Sequence, residues 1–266
     1  STTPSILGVV EKVTAGNAHT CSADENGVIC WGHDGADRLL VPSELGPVAD
    51  VTAGFSHTCA VSPSGEVSCW GDDNHGQATP PPVTDAAYVA AGIHHSCLLT
   101  STGGVQCWGY NADGEGSVPA GLPPAVQMDA GNHHNCAVDA SGGVTCWGQN
   151  VVGESTPPAG LANVQQVCAG ASFSCGLEGA GNVTCWGHSA YDKTTVPVGL
   201  VAEQISCGWN HACAVTTTGA AVCWGHDVYG QATVPSGLGD VVQVAAGANH
   251  TCVVDNRGAV TCWGTN

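Results

Sequence analysis

The 266-residue chain carries four Lys plus Arg against 22 Asp plus Glu, a formal charge of −18, which disfavours nucleic acid and anionic membrane surfaces as partners. Large apolar side chains are scarce, with two Phe and one Met beside 38 Gly, while Cys is abundant at sixteen, so an even set of disulfides in an oxidising compartment is expected. No apolar run reaches the ~18 residues of a membrane span, so no insertion into a bilayer is expected.

Taken in order, the opening segment from Pro4 to Gly16 matches Pro235 to Gly247 position for position. It therefore reads as a first inner strand, and a chain whose two ends fall in mid-repeat predicts a ring closed by segments from both termini. A start at Ser1 is read as the point left after a signal peptide has gone. Downstream, Cys-Trp-Gly recurs with its cysteine at Cys30, Cys69, Cys107, Cys146, Cys185, Cys223 and Cys262, a period of 38 or 39 residues. Repeats of this length cannot bury their apolar faces alone and stack against neighbours. Residues 1–266 are read as one domain.

Each unit shows an apolar strand such as Val241 to Ala246, a Gly-x-x-His turn, a hairpin, and a return path rich in Gly, Asp, Asn and Pro. The hairpins fall at 21–30, 59–69, 97–107, 136–146, 175–185, 213–223 and 252–262. Pairing Cys59 with Cys69 sets Ala60 opposite Ser68 and Val61 opposite Val67, and leaves Pro63-Ser64-Gly65 as a three-residue loop. Such a loop wants φ > 0 at its last position, where Gly65, Gly103, Gly142, Gly181, Gly219 and Gly258 stand. The first hairpin is one residue shorter, so its turn around Glu25-Asn26-Gly27 must be tighter.

Opposed cysteines on adjacent strands come within bonding distance, which predicts Cys21–Cys30, Cys59–Cys69, Cys97–Cys107, Cys136–Cys146, Cys175–Cys185, Cys213–Cys223 and Cys252–Cys262. The two left over, Cys168 and Cys207, differ in strand parity and point to opposite sheet faces. In a ring of radial sheets they meet between neighbouring units, so an eighth bridge is expected there. Zinc usually takes cysteines two to four residues apart, a spacing this pattern lacks.

Strand direction puts the Gly-x-x-His turns and the starts of the return paths on one rim. That rim is where recognition is expected, since variable loops on a fixed scaffold carry binding, and its candidate residues are Phe55, His94, His133, Trp209, Tyr110, Tyr191 and Tyr229. Acids such as Asp34, Asp72, Asp73, Asp113 and Asp227 surround them. The recurrent His19, His57, His95, His134, His211 and His250, replaced by Phe173 in the fifth unit, read as structural groups that hydrogen-bond the turn. The Trp of each Cys-Trp-Gly reads as packing between units, which sets Trp209 apart. The stretch from Asn111 to Glu115 lacks the spaced ligand set of a calcium loop and reads as a solvated turn. No nucleophile elbow, distinctive carboxylate pair or phosphate loop is present; the chain is read as a non-enzyme with no cofactor and no metal ligand.

The run from Trp224 to Pro235, followed by Val-Ala-Ala-Gly, His-Thr-Cys and Gly-x-Val-x-Cys-Trp-Gly, resembles the repeats of the regulator of chromosome condensation superfamily. In repeat pattern it is also similar to the propeller-type β-lactamase inhibitors of secreted bacterial origin. The resemblance spans essentially the whole chain. It implies an all-β, seven-bladed β-propeller with one disulfide in each blade, in a secreted or cell-surface variant of the family. The function expected is a rigid binding module for another extracellular protein, as a monomer or as part of a larger surface protein. An inhibitor of a secreted enzyme such as a class A β-lactamase is one alternative. A glycan-binding propeller with equivalent pockets between blades is another.

Overall fold

The computed structural model describes residues 3–4 and 7–265; Ser5 and Ile6 of the Pro4–Gly16 match, and Asn266, lie outside the described residues. Seven three-stranded antiparallel sheets follow one another in chain order, the blades of a β-propeller. Their inner strands are Lys12–Ala15, Asp50–Ala53, Ala86–Ala91, Ala125–Ala130, Val164–Ala169, Ala202–Cys207 and Val241–Ala246. The fourth blade is typical, with middle strand His134–Asp139 and outer strand Val144–Gly148. Return paths carry no strand, and a 3-10 turn at Ala190–Asp192 is the one helical segment among the described residues.

The hairpin register is the one the turn chemistry demands. Cys59 stands opposite Cys69, Ala60 opposite Ser68 and Val61 opposite Val67, and Ser62 N–H donates to Glu66 O at 2.9 Å. Gly65 takes the left-handed conformation at φ 84°, open to glycine at no steric cost. In the first blade Asp24 pairs with Gly27, so Glu25 and Asn26 alone make the turn. One disulfide joins the middle and outer strands of every blade, with Cα atoms 4.0–4.1 Å apart.

Between blades, side chains of the inner strands imitate a sheet's backbone. The Gln127 amide accepts from Val167 N–H at 2.8 Å and donates to Val167 O at 3.1 Å. Gln166 brackets Ile205 in the same way, and Gln243 brackets Val13. Two residues further along the strand, Thr14, Asp129 and Ser206 accept from the next blade's Ala53, Ala169 and Ala246 N–H groups. Cys168 occupies that same position in the fifth blade, and there a covalent bond to Cys207 of the sixth takes the place of the hydrogen bond.

Lys12 and Asp50 replace glutamine in the first two blades and pair with each other. Asp50 is 4% exposed and also accepts from Val89 N–H. Stripping a buried charge of its partner is expensive, so Lys12→Met should destabilise the protein by about 3 kcal/mol, read as a lower urea midpoint at unchanged m-value. An unchanged midpoint would mean that channel water already neutralises Asp50.

The ring closes where the seventh blade meets the first. Val10 N–H donates to Gly258 O at 3.1 Å and Ala248 N–H to Gly16 O at 3.0 Å, beside the Gln243–Val13 bracket. Both terminal segments take part, but every sheet consists of consecutive strands; closure comes from blade packing and not from a sheet shared by the two ends.

The recurrent histidines close their own turns through the main chain, each carbonyl accepting from the turn's Gly N–H at 2.8–2.9 Å, but their side chains bond elsewhere. Each Nε2 reaches a polar side chain on the middle strand of the following blade: His19 to Thr58, His57 to Ser96, His95 to Asn135, His134 to Ser174, His211 to Thr251 and His250 to Thr20, at 2.8–2.9 Å. Phe173 has no such bond to make, and the residue it would address, Ala212, has no polar group. Ser96, Ser174 and Thr251 donate their own hydroxyl protons to the carbonyls of Gln77, Glu154 and Gln231. The histidine facing each of them therefore donates from Nε2, and the bare Nδ1 is buried without a partner among the described residues.

Candidate functional site

A ring of backbone hydrogen bonds builds the rim. In each Gly-x-x-His turn the residue after Gly donates its N–H to a turn carbonyl of the next blade: Asn17 to Gly54, Phe55 to Gly92, Ile93 to Asn132, Asn132 to Gly170, Ala171 to Trp209, Trp209 to Gly247 and Ala248 to Gly16, at 3.0–3.3 Å. The glycine is required by this close approach. A Cβ at Gly54 would stand 2.6 Å from Gly92 O and 2.7 Å from His57 Cε1. Side chains on these turns are thus carried by a rigid hoop around the channel mouth, the arrangement that lowers the ordering cost of binding.

Five of the seven sequence-predicted rim residues come together here, four on the hoop and Tyr110 beside it on a return path, its N–H donating to His94 O at 2.8 Å. Phe55 of the second blade and Trp209 of the sixth stack across the channel mouth, with ring centroids 5.5 Å apart at 16°. His94 lies 6.2 Å from Phe55 and 6.3 Å from Tyr110, and Tyr110 lies 6.4 Å from His133. His75 fills the gap at 4.8 Å from His94 and 5.1 Å from Tyr110. The result is a continuous arc of rings over three neighbouring blades and the channel.

Tyr191 and Tyr229 belong to a second group, gathered on His226 at 4.5 and 6.0 Å. No ring contact joins the two groups among the described residues. His75 and His226 are the members that sequence reasoning missed. The signal was present: His75 occupies the repeat position of Tyr191 and Tyr229, five residues after the Trp, and His226 that of Tyr110, two after it.

Burial, and after it the neighbouring His75, holds His94 below the ordinary histidine range, so the His94 ring is uncharged at neutral pH. The surrounding acids do local work. Asp73 accepts from Ala78 N–H and Thr79 Oγ1, and Asp227 from Ala232 N–H and Thr233 Oγ1. These are side chains that shape turns, leaving the rings as the groups free to meet a partner. Beneath the arc the channel encloses about 300 Å³, walled by Lys12, Tyr88, Asp129 and the glutamine ladder.

A family model described as the regulator of chromosome condensation (RCC1) repeat matches residues 48–77, 86–115, 125–154, 202–231 and 241–266, together more than half of the chain. A search of curated protein sequences finds no match. Among solved structures, the entire ectodomain of the Physcomitrella patens receptor kinase CR4 is 27% identical with TM-score 0.82, over 98% of this chain and 74% of that one. The CRINKLY WD40 ectodomain of the Arabidopsis thaliana receptor kinase ACR4 is 28% identical with TM-score 0.79, over 97% and 96%. Prp20p from Saccharomyces cerevisiae, at 16% identity and TM-score 0.77 over 97% and 83%, shares the fold.

Proposed function

Because the chain belongs to the regulator of chromosome condensation (RCC1) repeat family, we propose that its propeller serves as an extracellular binding module for another protein. The observation that carries this reading is the arc from Trp209 through Phe55, His94 and Tyr110 to His133, held on the hydrogen-bonded hoop. Stacked aromatics on a rigid backbone, ringed by polar turns, are what interface hot spots are made of. Eight disulfides and likeness to two receptor-kinase ectodomains support an oxidising, extracellular setting.

The same stack favours one narrower reading, a protein inhibitor of a secreted enzyme, because the two half-buried rings lie together at the channel mouth as one compact aromatic anchor. Titrating the oxidised protein against a class A β-lactamase with a chromogenic substrate tests it directly. Nanomolar inhibition would identify the enzyme as the partner; none at micromolar concentration removes that candidate.

For the broader reading, immobilised wild-type protein and the Phe55→Ala/Trp209→Ala double variant are presented with the proteins secreted or displayed by the source organism. Loss of two hot-spot rings should weaken a genuine partner by about 100-fold or more. A partner that binds both proteins equally would place recognition elsewhere on the propeller.

A further inference from the structure

We propose that Asp113, Glu115 and His133 form a binding site on the rim for a first-row divalent cation of the zinc type. Glu115 is fully buried, at 0% exposure. Its Oε2 accepts from Asp113 N–H at 2.8 Å, whereas its Oε1 has no hydrogen-bond partner among the described residues. That bare oxygen stands 3.7 Å from His133 Nδ1, and Asp113 Oδ2 stands 4.0 Å from the same nitrogen. All three ligand atoms lie within 4.8 Å of one another.

Both separations are too long for a hydrogen bond. They suit two ligands of one ion, since donors at about 2.0–2.2 Å from zinc stand about 3.4 Å apart in a tetrahedron. Gln149 Nε2 donates to Asp113 Oδ2 at 3.3 Å, an outer contact of the kind that orients a ligating carboxylate. One imidazole and two carboxylates are a donor set for zinc and its neighbours, not for calcium, which takes six to eight oxygens. Three protein ligands leave a fourth position open.

The repeats themselves show why Glu115 lacks something. Gln77 and Gln231 occupy its place in other units, and each gives its amide proton away, to Asp72 Oδ2 at 3.0 Å and to His226 Nδ1 at 2.8 Å. A carboxylate has no proton to give, so its second oxygen calls for a cation. Glu154 is a natural control: it is equally buried and its Oε1 is also unpartnered among the described residues. The residue corresponding to His133 one unit on is Ser172, so no imidazole faces it.

This site shares His133 with the arc, but docking is tested at Phe55 and Trp209 and the metal site at Glu115 and His133, so the failure of one reading is distinguishable from the failure of the other. The test is calorimetric titration of dialysed, oxidised protein with zinc chloride, comparing wild type with Glu115→Gln, His133→Ser and Glu154→Gln. These substitutions copy residues that the repeat already carries at Gln77 and Ser172, so the fold is preserved, and near-ultraviolet dichroism checks it. One zinc per chain in wild type and in Glu154→Gln, weakened tenfold or more in the other two, is the expected result. Equal zinc uptake by all four proteins, or none by wild type, would overturn the site and leave His133 as an ordinary ion-pair partner of the two acids.

Discussion

Between pH 7 and pH 5 the oxidised protein should lose on the order of 10 kcal/mol of folding free energy, because six buried histidines are neutral in the native state and protonate only on unfolding. Burial, the leading cause in every case, takes His19, His57, His134 and His211 down to about 3 and His95 and His250 down to about 4 from the ordinary 6.5. The geometry supplies the reason: each Nδ1 is buried without a partner among the described residues, so the second N–H of an imidazolium would have no acceptor. A depressed native value means that the unfolded chain binds more protons, so the stabilisation is complete above pH 6.5 and drains away below it. At pH 5 each histidine accounts for about 2 kcal/mol.

Asp129 works in the opposite sense. Burial raises it from 3.8 to about 6, so the native state takes up a proton first as pH falls, a gain of roughly 1.4 kcal/mol at pH 5. Lys12, lowered to about 8 mainly by burial, acts only in alkali. Six histidines therefore prevail over one aspartate. Urea unfolding at pH 7 and 5 should show a collapsing midpoint, with five or so protons bound on unfolding near pH 5. His134→Phe with Ser174→Ala, which copies the native Phe173 and Ala212, should remove one proton from that count. Equal stability at the two pH values would sink the neutral-histidine account.

The hairpins were legible in the sequence because turn length, glycine position and cysteine register are local and mutually consistent. The histidine side-chain bonds were misread as local: the main chain closes the turn, while each imidazole runs to the next blade. Their signal was nonetheless written in the chain: every repeat histidine finds Thr, Ser or Asn in the slot before the first hairpin cysteine one unit on, and Phe173 alone finds Ala212. Comparing columns offset by one repeat would have exposed it. The Phe55–Trp209 stack could not be read that way. Those residues sit four blades apart, and whether their rings meet depends on the width of the channel, which no repeat encodes by itself. The metal cluster was hidden for a related reason, since it joins a return path to the turn of the following blade.

Complete reduction of the disulfides should leave a chain that does not hold its fold at 37 °C. Each hairpin bridge closes a loop of about eleven residues, worth about 2 to 3 kcal/mol by chain entropy, and Cys168–Cys207 closes about forty residues, worth about 4 kcal/mol. Even well short of additivity, the set exceeds the roughly 5–15 kcal/mol by which domains of this kind are stable. The first cysteine of every hairpin is 0% exposed and belongs to the apolar clusters between blades, so reductant without denaturant should act slowly and then abruptly. The single bridges separate covalent closure from packing. Cys97→Ala/Cys107→Ala removes a cross-link and leaves two small voids. Cys168→Ser/Cys207→Ala should supply, between positions 168 and 207, the counterpart of the hydrogen bond in which Ala246 N–H donates to Ser206 Oγ, which offsets about 1 kcal/mol of the loss. Both variants should fold at lower urea midpoints, while the reduced and alkylated wild type should lose its near-ultraviolet dichroism. A reduced, alkylated chain that melts within a few degrees of the oxidised one would show that the glutamine and histidine ladders between blades suffice, and that the sulfur is dispensable to the ring.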